Sequence, residues 1–371
     1  MTPKLTQITA VICLAFAGVA QANSSDYTIE TVASGLDFPW NITFLPNGDR
    51  LITELGGQVR RITPDNNVSQ PLEGVPPVYR MSQGGLFDVL PDQDFASNQL
   101  LYLSFAGGDR TSNATTVARA RLQGNALVDL TVLFSATPKK STAVHYGGRL
   151  AWLPDGTLLL TTGDGWEYRE QAQSLDNHFG KTIRMNKDGS PAAGNPFPDA
   201  PYIWTYGHRN PQGLAVSRDG QVFAHEHGPR GGDEINILSP GNNYGWPAIT
   251  YGIDYNGALV SPFTEAAGMQ QPIHVWTPSI APAGLMIYEG DLFPQWQGHL
   301  FVGALVDNEV RRLEINKDEI SSEESLFDEL NVRIRDIKQA PDGSIYILTD
   351  GVADSQDSNA GKVLRITPAD T

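Results

Sequence analysis

Six times along the chain an apolar strand runs into a tight turn and returns as another apolar strand, and few architectures accept that rhythm. Four copies are clear, at residues 44–54, 152–162, 216–225 and 339–349, each turning through Asn-Gly or Asp-Gly. Those dipeptides supply the positive φ that a hairpin turn needs. Two looser copies complete the set: 89–105, turning near 96–98, and 292–305, turning near 296–298. A second repeat answers the first. Gly-Gln-Val-Arg-Arg-Ile-Thr-Pro at 57–64 is nearly duplicated at 361–368, and 308–313 and 117–122 read as the same alternating outer strand.

Hairpin plus flanking strands makes a four-stranded blade. Six blades in roughly 350 residues give ~58 each, more than the ~40 to 50 of compact blades, so loop insertions are expected. The predicted fold is all-β, a six-bladed β-propeller over 23–371. A β-sandwich also alternates and turns often, but it does not repeat one turn at this spacing. No Pro/Ser-rich linker divides the chain and no window sustains a 3.6-residue apolar period, so helix should be scarce.

Residues 1–22 read as a secretory signal peptide: Lys4, an apolar stretch from Ile8 to Val19, then Ala20-Gln-Ala22. The stretch is too short to span a membrane. It also holds Cys13, the single cysteine, so the exported chain would have neither disulfide nor thiolate chemistry. Periplasmic or secreted localisation follows. Removing Lys4 takes the formal charge from -16 to about -17, a surface that repels nucleic acid and anionic membranes.

Four segments are too specific to be plain turns. Residues 143–149 place His145 at a strand entry and 161–165 place Asp164 at the end of the same hairpin, which suits a general base and its orienting carboxylate. A structural histidine bonded to a loop carbonyl is the alternative. Residues 206–214 carry Arg209, a planar donor fork for a carboxylate or developing oxyanion, beside Asn210; an inter-blade staple is the alternative. Residues 225–236 and 240–247 combine Gly228-Pro229, Asp233, Glu234 and an Asn-Asn-Tyr-Gly loop, oxygen donors that suit calcium. His225 and His227, alternating onto one strand face, tempt a zinc reading without a third nitrogen ligand. Arg333 and Arg335, opening the last hairpin, alternate onto one face as an anion clamp or as two solvent-facing charges.

Together these segments resemble the soluble quinoprotein glucose dehydrogenases, that is, the pyrroloquinoline quinone (PQQ)-dependent aldose sugar dehydrogenases and their glucose/sorbosone dehydrogenase relatives. The shared motifs lie at 83–86, 145–150, 163–164, 207–214, 226–229, 233–236, 241–247, 281–284 and 333–336. The resemblance implies oxidation of a sugar's anomeric hydroxyl, with His145 as base and Asp164 orienting it. It places Arg209 and Asn210 over the quinone, and Gln83, Arg333 and Arg335 as further cofactor contacts. It gives Gly228 and Pro229 as carbonyl ligands of the Ca2+ that polarises PQQ, and Asp233, Glu234 and Tyr244 as a neighbouring calcium loop. The implied partners are a small sugar and an electron acceptor of unstated identity, with no nucleic acid and no membrane insertion.

Two departures qualify it. Glucose-oxidising members carry Asp where this chain has Val144, which puts glucose specificity in doubt. A lysine that faces the quinone is replaced by Val306, which implies weaker PQQ affinity. Two other classes share such propellers: non-catalytic binding domains, which need no base beside an anion clamp, and calcium-dependent lactonases or esterases, which hold their metal with side chains in the channel.

Overall fold

The computed structural model describes residues 27–350 and 360–369; the signal-peptide reading, Cys13 included, falls outside them. The chain opens with β1 (Tyr27–Leu36). Blade one follows as β2 (Pro39–Phe44), β3 (Arg50–Glu54) and β4 (Gln58–Ile62). Blade two is β5 (Leu86–Pro91), a one-turn helix α1 (Phe95–Asn98), β6 (Leu100–Gly108), β7 (Asn113–Gln123) and β8 (Ala126–Ser135). Blade three is β9 (Gly147–Trp152), β10 (Leu158–Thr162), β11 (Lys181–Met185) and β12 (Ile203–Tyr206). Blade four is β13 (Pro211–Val216), β14 (Val222–Glu226), β15 (Asp233–Leu238) and β16 (His274–Trp276). Blade five is β17 (Pro282–Ile287), β18 (Leu300–Ala304), β19 (Val310–Asn316) and β20 (Glu319–Leu326). Blade six is β21 (Ile334–Gln339), β22 (Ile345–Thr349) and β23 (Gly361–Pro368), with β1 paired antiparallel to β23 as its outermost strand.

The first strands β2, β5, β9, β13, β17 and β21 adjoin one another in a closed ring, so each lines the central channel. The expected repeat is visible bond by bond. In the four clear hairpins the same backbone bond closes the turn, Leu45 to Asp49, Leu153 to Thr157, Ser217 to Gln221 and Ala340 to Ser344, at 2.8–2.9 Å. The glycine of each dipeptide, Gly48, Gly156, Gly220 and Gly343, has φ between 81° and 90°.

Three expectations need correction. Blade one has three strands rather than four among the described residues. In the looser copy near 292–305 the inner strand is β17, and Leu292 sits in the long connection, which tightens through a 3-10 turn at Pro294–Trp296. The Val-x-Arg strands expected at the outer edge are the third strands β4, β7, β19 and β23, and only β4 ends its sheet.

Apolar clusters fill the gaps between neighbouring blades, for example Leu214, Val222 and Ala224 against Leu159 and Trp204. The channel is plugged by polar side chains. Arg149 of β9 is fully buried, pairs with Asp336 of β21 at 3.0 Å, donates to the Gln212 carbonyl and lies 4.1 Å from the Trp40 ring centroid. Asp336 also accepts the Ile42 amide, so one buried ion pair ties four blades together.

Candidate active site

Every β-turn of the clear hairpins lies at one end of the ring, so the segments that enter first strands and leave second strands meet at the other. His145 precedes β9 and Asp164 follows β10; Arg209 and Asn210 precede β13 and His227 to Pro229 follow β14; Arg333 precedes β21 and Asp350 follows β22. Residues more than 180 positions apart thus share one rim.

The imidazole and its carboxylate meet as expected. His145 Nδ1 lies 2.7 Å from Asp164 Oδ1, and both groups are buried. Asp164 Oδ1 also accepts the Trp166 amide, and Oδ2 accepts the Trp246 indole N–H, each at 2.7 Å. Burial alone would push the Asp164 carboxyl up, but the His145 ring, Arg209 and the Trp166 amide outweigh it and hold it below the ordinary range. An ionised Asp164 fixes Nδ1–H on the ring and leaves the other nitrogen as acceptor. Burial drives the His145 pKa down, against the opposing pull of Asp164.

A cavity of about 320 Å3 adjoins this pair, walled by Arg209, Pro229 and Trp246 and, at its mouth, by Trp166 and Tyr255. The last two rings stack at 5.6 Å, and Asp254 beside Tyr255 pairs with Arg169. Pro229 and Tyr255 also wall a second cleft of about 750 Å3, which His227, Gly228, Ala281 and Val306 line. Val306 stands on this rim 57% exposed, and neither lining contains a lysine to replace the one it displaces.

Arg209 reaches between the two spaces. Its Nη1 donates to the carbonyls of His227 at 2.9 Å and Gly228 at 2.6 Å, while its buried Nε has no partner. Glu226 fixes the Arg209 backbone by accepting its amide and is itself bonded to His208, so the carboxylate that ends β14 braces the loop before β13. Asn210 accepts the Gly147 amide at 3.1 Å, which couples the arginine loop to the histidine strand.

Arg333 and Arg335 share one acidic partner, Asp350, at 3.7 and 3.4 Å; Arg335 also donates to Gln212. Two guanidiniums against one carboxylate leave a positive excess that suits a polycarboxylate. That excess and the unpartnered Arg209 Nε fit a quinone bearing carboxylates. Gln83 Oε1 accepts the His145 amide at 2.8 Å, which sets this side chain beside the base.

The predicted calcium donors divide. Asp233 and Glu234 are successive strand residues and turn to opposite faces. Asp233 is a loop brace, accepting the Gly228 and Ala281 amides and the Ser279 hydroxyl. Glu234 instead stands opposite Glu226 across β14 and β15. Its carboxyl is pushed up to about 8, first by burial and then by Glu226. Such a pair suits a hard cation, as do the carbonyls of Gly228 and Pro229, each with two lone pairs. The Tyr244 hydroxyl is taken by Ile237 and Ser239, and its ring stacks on His208, leaving only its backbone for a metal. His225 ends in a bond to the Gly284 carbonyl, and His227 lies beyond the end of β14, so the two do not share a strand face.

Sequence reasoning gave no role to Trp166, Trp246, Gln212, Asp350 or Lys140. Trp246 and Gln212 lay inside the recognised motifs, where their side-chain chemistry was the available signal.

Comparison with known proteins gives the same fold and identifies the family. The sequence model of the Glucose / Sorbosone dehydrogenase family matches residues 36–365. The aldose sugar dehydrogenase of Escherichia coli is 38% identical over 96% of this chain and 97% of its own length. The crystal structure of the apo-form of an Escherichia coli soluble aldose sugar dehydrogenase superposes with TM-score 0.87, covering 92% of this chain and 99% of that one. The PQQ-bound aldose sugar dehydrogenase of Streptomyces coelicolor, 28% identical, superposes with TM-score 0.77 over 94% and 100%. Built on the propeller and the rim described above, the chain belongs to the glucose/sorbosone dehydrogenase family.

Proposed function

We propose that the protein oxidises the anomeric hydroxyl of aldose sugars to lactones, with PQQ as cofactor and Ca2+ as its activator, in a periplasm or outside the cell. The observation that carries this reading is the His145–Asp164 pair, 2.7 Å apart at the wall of a sugar-sized cavity with Arg209 across from it. PQQ, when bound, supplies a two-electron acceptor for hydride, and calcium a Lewis acid for its carbonyl.

The protein's own part is positioning and proton transfer. The free ring nitrogen of His145 takes the proton of the anomeric hydroxyl, and Asp164, kept ionised by three donors, stabilises the imidazolium that forms. Arg209 offers its guanidinium to negative charge developing on the acceptor side. Gly228 and Pro229 would hold the calcium through their carbonyls, and Arg333 and Arg335 would grip cofactor carboxylates once Asp350 yields. Trp166 and Tyr255 wall the sugar side and limit water.

With Val144 beside the base instead of a carboxylate, the sugar is gripped mainly at its anomeric end. Several aldoses should therefore be accepted, with discrimination of ~10- to 200-fold rather than ~10⁴-fold. A non-catalytic propeller would not need an imidazole whose tautomer is fixed by a buried carboxylate that two further donors hold in place.

The test is absorption spectroscopy of purified apoprotein given PQQ and calcium. A bound quinone bleached on adding an aldose supports the reading. Failure to bind PQQ, or bound PQQ indifferent to every aldose, refutes it.

A further inference from the structure

The peptide unit that joins Val144 to His145 is held at both ends by side chains. Its carbonyl accepts Lys140 Nζ at 2.7 Å, and its N–H donates to Gln83 Oε1 at 2.8 Å. His145 has φ 52°, the left-handed region, which costs a side-chain-bearing residue on the order of 1–2 kcal/mol and persists only where the surroundings enforce it.

Lys140 is an unusual residue to find there. It is 3% exposed, and among the described residues its ammonium makes no ion pair. It donates instead to the carbonyls of Thr142 at 2.8 Å and Val144, and sits 3.5 Å from the Tyr146 ring centroid. Its backbone is fixed by a reciprocal pair of bonds with Asn113 at the start of β7. Its stem fills the space where a side chain on Gly165 would go, with Cδ only 2.8 Å from that position. Thr142, bonded to the ammonium, in turn donates its hydroxyl to the Gly165 carbonyl at 2.7 Å. One side chain therefore touches both the segment that carries the base and the segment that carries its orienter.

A neutral residue could fill that space at less desolvation cost, so the charge calls for an explanation. We propose that Lys140 is a positioning residue for the reaction: with Gln83 it clamps the Val144–His145 peptide in the turn that aims the imidazole at the cavity, and it places a buried cation behind the base. The proposal rests on His145 being the base.

The electrostatics agree. Around His145 stand Asp164, Arg209, Lys140 and His227; around Lys140 stand Asp164 and Tyr146. Burial lowers the Lys140 pKa to about 7, with Asp164 opposing, so it is charged through the more acidic range in which His145 takes up a proton.

Lys140→Met and Lys140→Arg separate charge from bulk. The first readout is the NMR titration of the His145 ring in cofactor-free protein, its signal identified by its loss in His145→Gln. The second is kcat against PQQ retention. Lys140→Met should raise the His145 midpoint and cut kcat ~10- to 100-fold with PQQ binding unchanged, and Lys140→Arg should restore most of both. A kcat loss without a midpoint shift, a shift without a loss, or no rescue by arginine overturns the proposal. If Lys140→Met does not fold, Lys140→Gln carries the same comparison. Wild-type protein that binds PQQ but oxidises no aldose would sink the functional reading, while the titration would still decide the role of Lys140.

Discussion

The indole N–H of Trp246 donates to Asp164 Oδ2 across 2.7 Å, although 82 residues separate the two in the chain. This bond joins the loop after β15 to the loop after β10, and it holds the second oxygen of the carboxylate while the first faces His145. Trp246→Phe keeps the ring but removes the donor. It should lower kcat ~10-fold and leave sugar KM nearly unchanged, as steady-state kinetics would reveal; an unchanged kcat would mean the bond is only structural.

His145→Gln should cut kcat by ~10²- to 10⁴-fold while PQQ still binds. Asp164→Asn can donate to the imidazole and reverse its tautomer, so its loss should be comparable rather than smaller. Titrating each variant with PQQ at saturating sugar checks both. Recovery of His145→Gln at high cofactor would assign the histidine to binding.

The pH dependence has a defined sign. The base works when neutral, and burial places the His145 pKa below the ordinary 6.5. The rate should hold through neutrality and fall with unit slope only below that value. A limb centred above 7 in kcat/KM would contradict the buried pair.

Glu234 gives a second pH effect, on stability. Between its ordinary value of 4.5 and about 8 the folded protein keeps a proton that the unfolded chain releases, so stability should fall as pH rises through that window. Calcium, if it answers the Glu226–Glu234 pair, should restore Tm most at the alkaline end. Glu234→Gln should flatten the Tm profile and blunt the calcium effect; a calcium response identical to wild type would place the metal elsewhere.

Arg335→Ala should weaken PQQ retention by ~10- to 100-fold, the loss of one charge-assisted contact at about 1.5 to 3 kcal/mol, and excess PQQ should recover the rate. Equilibrium dialysis measures this without turnover.

Blade count and site end were legible because both rest on local chemistry. Asn-Gly and Asp-Gly mark where four of the six hairpins reverse, and His145, Asp164 and Arg209 lie at the opposite ends of those strands. What stayed hidden depended on distant partners. Lys140 and Asp350 lie in stretches without motif character, and their roles come from neighbours brought in by ring closure. Asp233 and Glu234 looked like one ligand pair because adjacency is visible in sequence and strand alternation separates them only in space. The inner strand at 282–287 escaped for a related reason: its connection to β18 is long, and no Asn-Gly or Asp-Gly marks the reversal.

The last blade carries Arg333 and Arg335, yet its outer strand is β1 and its third is β23. During synthesis, then, the first strand of the described residues must wait for the last of them before it finds its partner. The arginine pair on the inner strand therefore sits on a sheet whose outer half is built from the first and last described strands, and removing either would strip that support while β2 to β20 keep their pairings.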